Sequence, residues 1–206
     1  MFSAAMSQSE KLIPAIEQLL SLSEIRKHDL KLIAVSCGPG SFTGLRIGMA
    51  TAKGLARSLR IPLVGVPNAE AFTRNTSFWK GIVCVLLPDR RNLVYYAMFL
   101  NGAKLSDERS STIESLLEEL RHSEDRVLVV GAGAEQHRDK LAVLLNVSIA
   151  PAALNRPSAL NIALLGVERF KRTQKDELYE LEPMYVQKPL AEYSLQVHKF
   201  ASLYTA

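Results

Sequence analysis

Residues 36–48 read Ser-Cys-Gly-Pro-Gly-Ser-Phe-Thr-Gly-Leu-Arg-Ile-Gly, and this glycine-rich stretch decides the fold. It follows the apolar segment Lys31–Ser36, which predicts a short buried strand, and precedes a helix that Ser41 or Thr43 can cap and that runs to about Leu59. A glycine-rich turn from a strand into a helix predicts an α/β protein. It also offers free N–H groups and a helix dipole to an anion. The spacing alone favours a plainer interpretation, in which the glycines permit a tight, closely packed connection.

Known nucleotide motifs do not match this stretch. The G-x-x-x-x-G-K-[ST] motif needs a lysine and a hydroxyl after its last glycine, but Leu45 and Arg46 follow Gly44. The dinucleotide motif needs G-x-G-x-x-G, whereas Gly38, Gly40 and Gly44 are spaced one residue too widely. The candidate site residues of the loop are Gly38, Pro39, Gly40, Ser41, Thr43 and Arg46.

The helix after the loop carries two further patterns. Small residues recur every four positions, which indicates a shallow surface that another helix can approach, or internal packing: Gly44, Gly48, Ala52 and Ala56. Basic residues fall within about 60° on a helical wheel, which predicts either a solvated face or an interaction surface. These residues are Arg46, Lys53, Arg57 and Arg60.

Composition excludes several classes of protein. The 206 residues are 48% hydrophobic and 22% charged, as in an ordinary globular protein. The longest apolar run, Ile82–Leu87, is too short to span a bilayer. Only two cysteines, Cys37 and Cys84, occur, which favours the cytoplasm over a disulfide framework. Residues 1–69 hold 8 Lys/Arg and 4 Asp/Glu, so they carry the whole net charge of +4.

No catalytic or metal-binding arrangement emerges from the residue pattern. None of the four histidines pairs at i, i+4, and neither cysteine lies in a C-x-x-C motif. Cys37 beside the glycine turn is a candidate nucleophile at a helix N-terminus, but buried cysteines are also common at strand ends. We therefore expect no catalytic residue, no metal and no cofactor in this chain.

The remaining elements predict two α/β lobes that meet near residue 75. A capping box, Ser7 with Glu10, opens a helix to about residue 23, and Asn68 caps a short helix. The other predicted elements are strands over 81–87, 92–100, 126–130 and 183–186, and helices over 111–121, 134–145 and 157–171. The predicted lobes are residues 1–75 and 76–206, with the C-terminal segment expected to pack back on the first.

Several motifs resemble the TsaB family, bacterial proteins of tRNA threonylcarbamoyladenosine synthesis. The stretch Gly38–Ala56, GPGSFTGLRIGMATAKGLA, is similar to the family signature. Ser9–Pro14 resembles its H-S-E-x-L-L-P motif, with Gln8 in place of the histidine. Asp89 and Arg91 with the following Val-Tyr resemble its D-A-R-x-x-x-V-Y hairpin, and Pro183–Lys188 resembles a late P-x-Y-x-R/Q segment.

The resemblance implies a two-lobed fold like that of actin, hexokinase and Hsp70, of the ribonuclease H-like class. It also implies a non-catalytic paralogue and partner of the catalytic subunit TsaD. With a TsaE-like ATPase subunit, TsaD transfers threonylcarbamoyl to adenosine 37 of tRNA, and ATP and metal are expected in those partner subunits. Family members begin with a strand carrying a D-T-S-like motif, so the first lobe is expected to be truncated at its N-terminus.

By the same resemblance, the first two helices form the interface with TsaD, and a homodimer when the chain is alone. The implied interface residues are Leu12, Ile16, Leu19, Gly44, Ile47, Gly48, Thr51, Ala52 and Leu55. Two alternatives remain open. One is a small enzyme of the same superfold, a phosphotransferase or a metallopeptidase-like protein, and the other is a tRNA-binding module that uses the basic residues.

Overall fold

The computed structural model describes residues 8–89 and 93–185, and its first half builds a small parallel sheet. Strand β1 (Ile33–Gly38) pairs with β2 (Leu63–Pro67), with Ile33 opposite Leu63. Helix α2 (Phe42–Leu59) forms the crossover between them. Helix α1 (Gln8–Leu22) precedes β1, and α3 (Asn68–Asn75) follows β2.

The second half builds a larger, mixed sheet of six strands. They are β3 (Ile82–Pro88), β4 (Leu93–Leu100), β5 (Ala103–Lys104), β6 (Arg109–Thr112), β7 (Val127–Val130) and β8 (Val147–Ile149). Their order is β5–β4–β3–β7–β8, and β6 also pairs with β4. Strand β4 is antiparallel to β3, whereas β7 is parallel to β3 and β8 is parallel to β7. The helices of this half are α4 (Ile113–Arg121), α5 (Ala132–Gln136), α6 (Arg138–Leu141) and α7 (Ala159–Thr173).

Helices cover both faces of the small sheet. Because side chains alternate along a strand, Ile33 and Val35 face Ala52 and Ala56 of α2, whereas Ala34 faces the opposite layer. That layer contains α7, whose Ile162 and Leu165 pack with Val66 and Ala71. Helix α7 approaches β1 closely because it has Gly166 there, where a side chain would collide with Ala34.

The chain after α7 closes the free edge of β2. Asp176 Oδ1 accepts a hydrogen bond from Leu63 N at 3.0 Å, and Glu177 N donates to Leu63 O at 2.9 Å. Glu177 Oε2 accepts from Gly65 N at 2.7 Å, and Arg169 Nη1 donates to Gly65 O at 2.8 Å. Side chains and one backbone amide thus satisfy four polar groups that would otherwise form an open strand edge.

Helix α3 connects the two sheets. Its Ala71 packs with Val66 of the small sheet, whereas its Phe72, almost fully buried, packs with Val83 and Phe99 of the large sheet. The opposite face of the large sheet packs against α4 through Leu116 and other apolar residues. None of the helices in the described ranges is long and apolar enough to cross a membrane.

Several predicted boundaries need correction. Helix α4 is capped by Thr112, whose Oγ1 accepts from Ser115 N at 3.2 Å, and not by Ser111. The N-cap of α3 is Pro67, so Asn68 is its first helical residue. The predicted helix over 134–145 is divided at His137, which adopts φ −113° and ψ 23°, outside the helical range. Helix α7 begins after the Ser158 cap, two residues later than expected.

Other predicted features lie partly or wholly outside the described residues. Residues 183–185 form no strand, and residue 186 of that predicted strand lies outside the described residues. The first residue of the predicted capping box, Ser7, also lies outside them, as do residues 90–92 of the predicted hairpin turn.

Candidate functional site

The glycine-rich loop joins β1 to α2 and is held in place by close backbone contacts. Gly38 has φ +113°, a left-handed conformation that favours glycine. A Cβ atom there would lie 2.9 Å from Met184 O and 3.1 Å from Leu45 Cδ1. The Gly38–Pro39 peptide bond is cis, and both residues are buried, whereas Gly40 is exposed. Gly38 therefore permits a closely packed connection at the end of β1.

Polar side chains of the chain itself bind the loop. Ser36 Oγ donates to Asn68 Oδ1 at 2.6 Å, and Asn68 Nδ2 donates to Pro39 O at 2.9 Å. Ser41 caps α2, since its Oγ accepts from Gly44 N at 3.3 Å. Thr43 is exposed in the first turn of α2. Sequence reasoning missed the role of Asn68, which binds the loop from the neighbouring strand–helix junction instead of capping α3.

The Cys37 thiol is an unfavourable nucleophile. It is buried at the end of β1, and burial raises its pKa from 9.0 to about 11. The neutral thiol therefore dominates at neutral pH, although the thiolate is the reactive form. Burial likewise raises the pKa of Cys84 to about 12. The nucleophile interpretation of Cys37 finds no support in this geometry.

Arg46 belongs to an aromatic cluster at the start of α2. Its guanidinium carbon lies 3.9 Å from the ring centroid of Phe42, and its Nε donates to Tyr185 Oη at 3.0 Å. The rings of Phe42 and Tyr185 are 5.2 Å apart. Arg46 thus links Tyr185 to α2. The basic pattern predicted a solvated face or an interaction surface and did not predict this contact within the chain.

The other three residues of the basic pattern, Lys53 and Arg57 of α2 and Arg60 at its C-terminal cap, differ from Arg46. Lys53 is half-buried, and Arg57 and Arg60 are exposed. Among the ion pairs within residues 8–89 and 93–185, none includes any of the three. Their charges remain available on the surface.

Helix α1 presents an apolar face that its own chain covers incompletely. Leu12 and Ile16 are half-buried, whereas Leu19 is 65% exposed. Sequence reasoning missed Ile13 and Leu22, which are also exposed, Leu22 by 76%. Exposed leucines at this density along one helix are typical of an interaction surface.

Helix α2 carries the rest of the predicted set, and most of these residues are half-buried. Its half-buried residues from that set are Gly44, Ile47, Gly48, Thr51 and Leu55. A Cβ atom on Gly48 would meet nothing within 4 Å, so the surface above it is open. The prediction that Ala52 lies on the interaction surface is corrected. Ala52 faces the small sheet, where it packs against Leu63, and it is only 7% exposed. Helices α1 and α2 contact one another.

The remaining candidates give no further site. Asp89 Oδ2 accepts from Ser110 Oγ at 3.0 Å, and Arg91 lies outside the described residues. Within residues 8–89 and 93–185, no group of three or more His, Cys, Asp or Glu side chains could hold a metal ion. His198 also lies outside those ranges.

Comparisons with known proteins agree with the fold and the motifs. A family model described as "TsaD: tRNA N6-adenosine threonylcarbamoyltransferase" matches residues 3–195. The "tRNA threonylcarbamoyladenosine biosynthesis protein TsaB" of Bacillus subtilis (strain 168) is 30% identical over 192 residues, which cover 90% of this chain and 82% of that protein. The protein of the same name from Escherichia coli (strain K12) is 24% identical over 190 residues, 89% of this chain and 82% of that one.

A solved structure described as "YeaZ from Pseudomonas aeruginosa" shares the fold. It superposes with a TM-score of 0.70 at 20% identity, over 87% of this chain and 85% of that chain. This likeness, the parallel small sheet and the mixed large sheet confirm the α/β fold class that the sequence predicted. With the family model spanning most of its length, this chain belongs to the TsaB family of tRNA threonylcarbamoyladenosine biosynthesis proteins.

Proposed function

We propose that this chain is a non-catalytic partner subunit of a cytoplasmic complex that transfers threonylcarbamoyl to adenosine 37 of tRNA. In that complex a TsaD-like subunit performs the transfer, a TsaE-like subunit hydrolyses ATP, and tRNA reaches this chain through the assembly. Metal and ATP would be held by those partners. Family membership supports the proposal, and so does the raised pKa of the buried Cys37 thiol, which disfavours a nucleophilic role for that residue.

The observation that carries the proposal is the open surface formed by α1 and α2. Gly48 has free space above it, and Leu19 of the neighbouring helix is largely exposed. A glycine in a helix lets the backbone of a second helix approach closely, while exposed leucines supply apolar area to bury. We propose that the TsaD-like subunit docks helices here, in contact with Leu12, Ile16, Leu19, Gly44, Ile47, Gly48, Thr51 and Leu55. The lobe division near residue 75 is part of the same proposal, and it places this surface in the first lobe.

Gly48→Arg tests the surface directly. Arginine has a higher helix propensity than glycine and meets nothing within 4 Å at this position, so the fold should remain intact. We expect the variant to lose co-elution with the TsaD-like protein of the same organism in size-exclusion chromatography, because the bulky cation fills the contact.

Ala50→Arg is the matched control. Ala50 is exposed on the same helix but lies about 160° around its axis from Gly48. The control should co-elute like the unmodified chain. Normal co-elution of Gly48→Arg would refute the proposed surface, and loss of co-elution by both variants would show that the effect is not specific to this face.

A further inference from the structure

A cavity of about 550 Å³ lies apart from the α1–α2 surface. It is bounded by the end of α3, the start of β3, the turn between β4 and β5, and α7. Its lining includes no residue of α1, α2 or the glycine-rich loop. Its volume falls within the range of roughly 300–1,000 Å³ that is usual for small-molecule sites.

The cavity has a positive lining. Arg74 and Lys80 line it, and none of the lining residues within 8–89 and 93–185 is an Asp or a Glu. Arg74 also forms an ion pair with Glu168 of α7, which orients its guanidinium. Lys80 is exposed and belongs to none of the ion pairs within the described part of the chain. Because Glu168 already balances the charge of Arg74, the ammonium of Lys80 is the charge in this lining that favours an anionic group.

One wall of the cavity suits a planar ring. Trp79 lines it together with Leu164 and Leu165, so a flat apolar group would meet an indole ring and aliphatic side chains. The guanidinium carbon of Arg126, which does not line the cavity, lies 5.4 Å from the centroid of the Trp79 ring and covers one face of the indole, so a ligand ring would stack on the other face. Stacking on an indole ring is favourable for any nucleobase, whatever its sequence.

A polar group of α7 supplies an acceptor in the same cavity. Both amide hydrogens of Asn161 are engaged, since Nδ2 donates to Ala71 O at 3.0 Å and to Asn75 Oδ1 at 2.7 Å. These two bonds fix the orientation of the amide and leave its Oδ1 without a protein donor among the described residues. A fixed amide oxygen can accept a hydrogen bond from a ring amino group.

We propose that this cavity binds a small organic anion that carries a planar ring, with the ring against Trp79 and the acidic group at Lys80 and Arg74. A nucleoside monophosphate combines these features, and adenosine monophosphate is the probe chosen for the test. The proposal is independent of the partner surface, so Gly48→Arg should leave binding of the probe unchanged.

The test uses the only tryptophan of the chain as a reporter. The full chain is titrated with adenosine monophosphate, with adenosine and with inorganic phosphate, and Trp79 fluorescence and the heat of binding are recorded. We expect the nucleotide to change the fluorescence and to bind at least about tenfold more tightly than either half alone, because both halves of the site contribute.

Two lysine variants locate the binding site. Lys80→Gln should raise the Kd for adenosine monophosphate at least about fivefold by removing a charge-assisted contact. Lys31→Gln changes another exposed lysine, one that does not line the cavity, and should leave the Kd unchanged. Equal Kd values for the two variants would overturn the proposal, as would the absence of heat and of any fluorescence change at millimolar nucleotide.

Discussion

The thiol of Cys37, which the sequence allows to be a nucleophile, is buried in the structure. Burial raises the pKa of the thiol and so lowers its reactivity. A pKa of about 11 leaves about one thiol in a thousand ionised at pH 8. In the Cys84→Ala variant, where Cys37 is the only thiol, we expect a disulfide reagent to label the native chain about a hundredfold more slowly than the urea-unfolded chain at this pH. Absorbance of the released thiolate measures both rates, and equally rapid labelling of the native chain would contradict the assigned burial.

The same thiol makes stability depend on pH in a defined direction. Because folding raises the pKa of Cys37 above 9.0, its contribution is complete below about pH 9 and is lost as the pH rises through about 11. The stability difference between Cys84→Ala and Cys37→Ser/Cys84→Ala should therefore shift against the thiol-containing chain over this interval. Urea unfolding at each pH measures the shift, and a constant difference would contradict it.

Ala52 shows why small residues spaced four apart do not all lie on one exposed face of a helix. Four residues advance an α-helix by about 400°, so each step of the pattern turns by about 40°. From Gly44 to Ala56 the pattern turns by about 120°, which carries it from the open side of α2 to the side that packs on Leu63. The sequence could not reveal where along this path the core begins, because small residues suit both environments.

Among the secondary-structure elements, capping residues and apolar spacing predicted the long helices well, but they predicted the short helices and strands poorly. The end of α2 at Leu59 is confirmed, and α1 is within one residue of its predicted bounds. The predicted helix over 134–145 is interrupted at His137. Helix propensity describes single residues and does not include tertiary packing, so it could not predict this break. The short strands β5 and β8 have two and three residues, too few for an alternating pattern to be recognised.

The closed edge of β2 gives a test at this scale. Glu177→Ala removes the acceptor of the Gly65 N–H and should lower the free energy of unfolding by about 1–3 kcal/mol, because the N–H of a buried residue is left unpaired. Glu177→Gln keeps an amide oxygen at the same place and should recover much of the loss. Urea unfolding curves measure the free energy of both variants.

Glu182→Ala is the control for this pair. Glu182 is exposed in the same segment, so its removal should change stability by less than about 0.5 kcal/mol. Comparable losses for Glu177→Ala and Glu177→Gln would show that the hydrogen bond to Gly65 is not what stabilises the edge.

For the whole molecule, the segment that follows the large sheet returns to the small one. Helix α7 packs on β1 and β2, and Met184 N donates to Cys37 O at 2.6 Å, beside the glycine-rich loop. The family motif predicted the loop and its helix, because glycine spacing is a local property. The particular pairing of Cys37 with Met184 could not be predicted from one sequence, because no local feature of either segment specifies the other residue.

The α1–α2 surface also makes a prediction about the free chain. If this surface joins two copies when the TsaD-like subunit is absent, Leu19→Asp should convert a dimer into a monomer in sedimentation velocity, because a carboxylate in an apolar contact is costly. Leu19 is 65% exposed, so the fold should tolerate the change.

Leu145→Asp serves as the control for dimerisation. Leu145 is fully exposed in the segment between α6 and β8, remote in sequence from the two helices. It should sediment like the unmodified chain. A Leu19→Asp variant that remains dimeric would place the contact between copies elsewhere.

The closed edge of β2 limits where a further strand can be added to the small sheet. Asp176, Glu177 and Arg169 occupy the backbone groups that an added strand would need. Within the described residues, β1 pairs with β2 alone. Any lengthening of this sheet, by an inserted segment, a fused peptide or a designed strand, must therefore proceed from β1. The small sheet can be extended in one direction only.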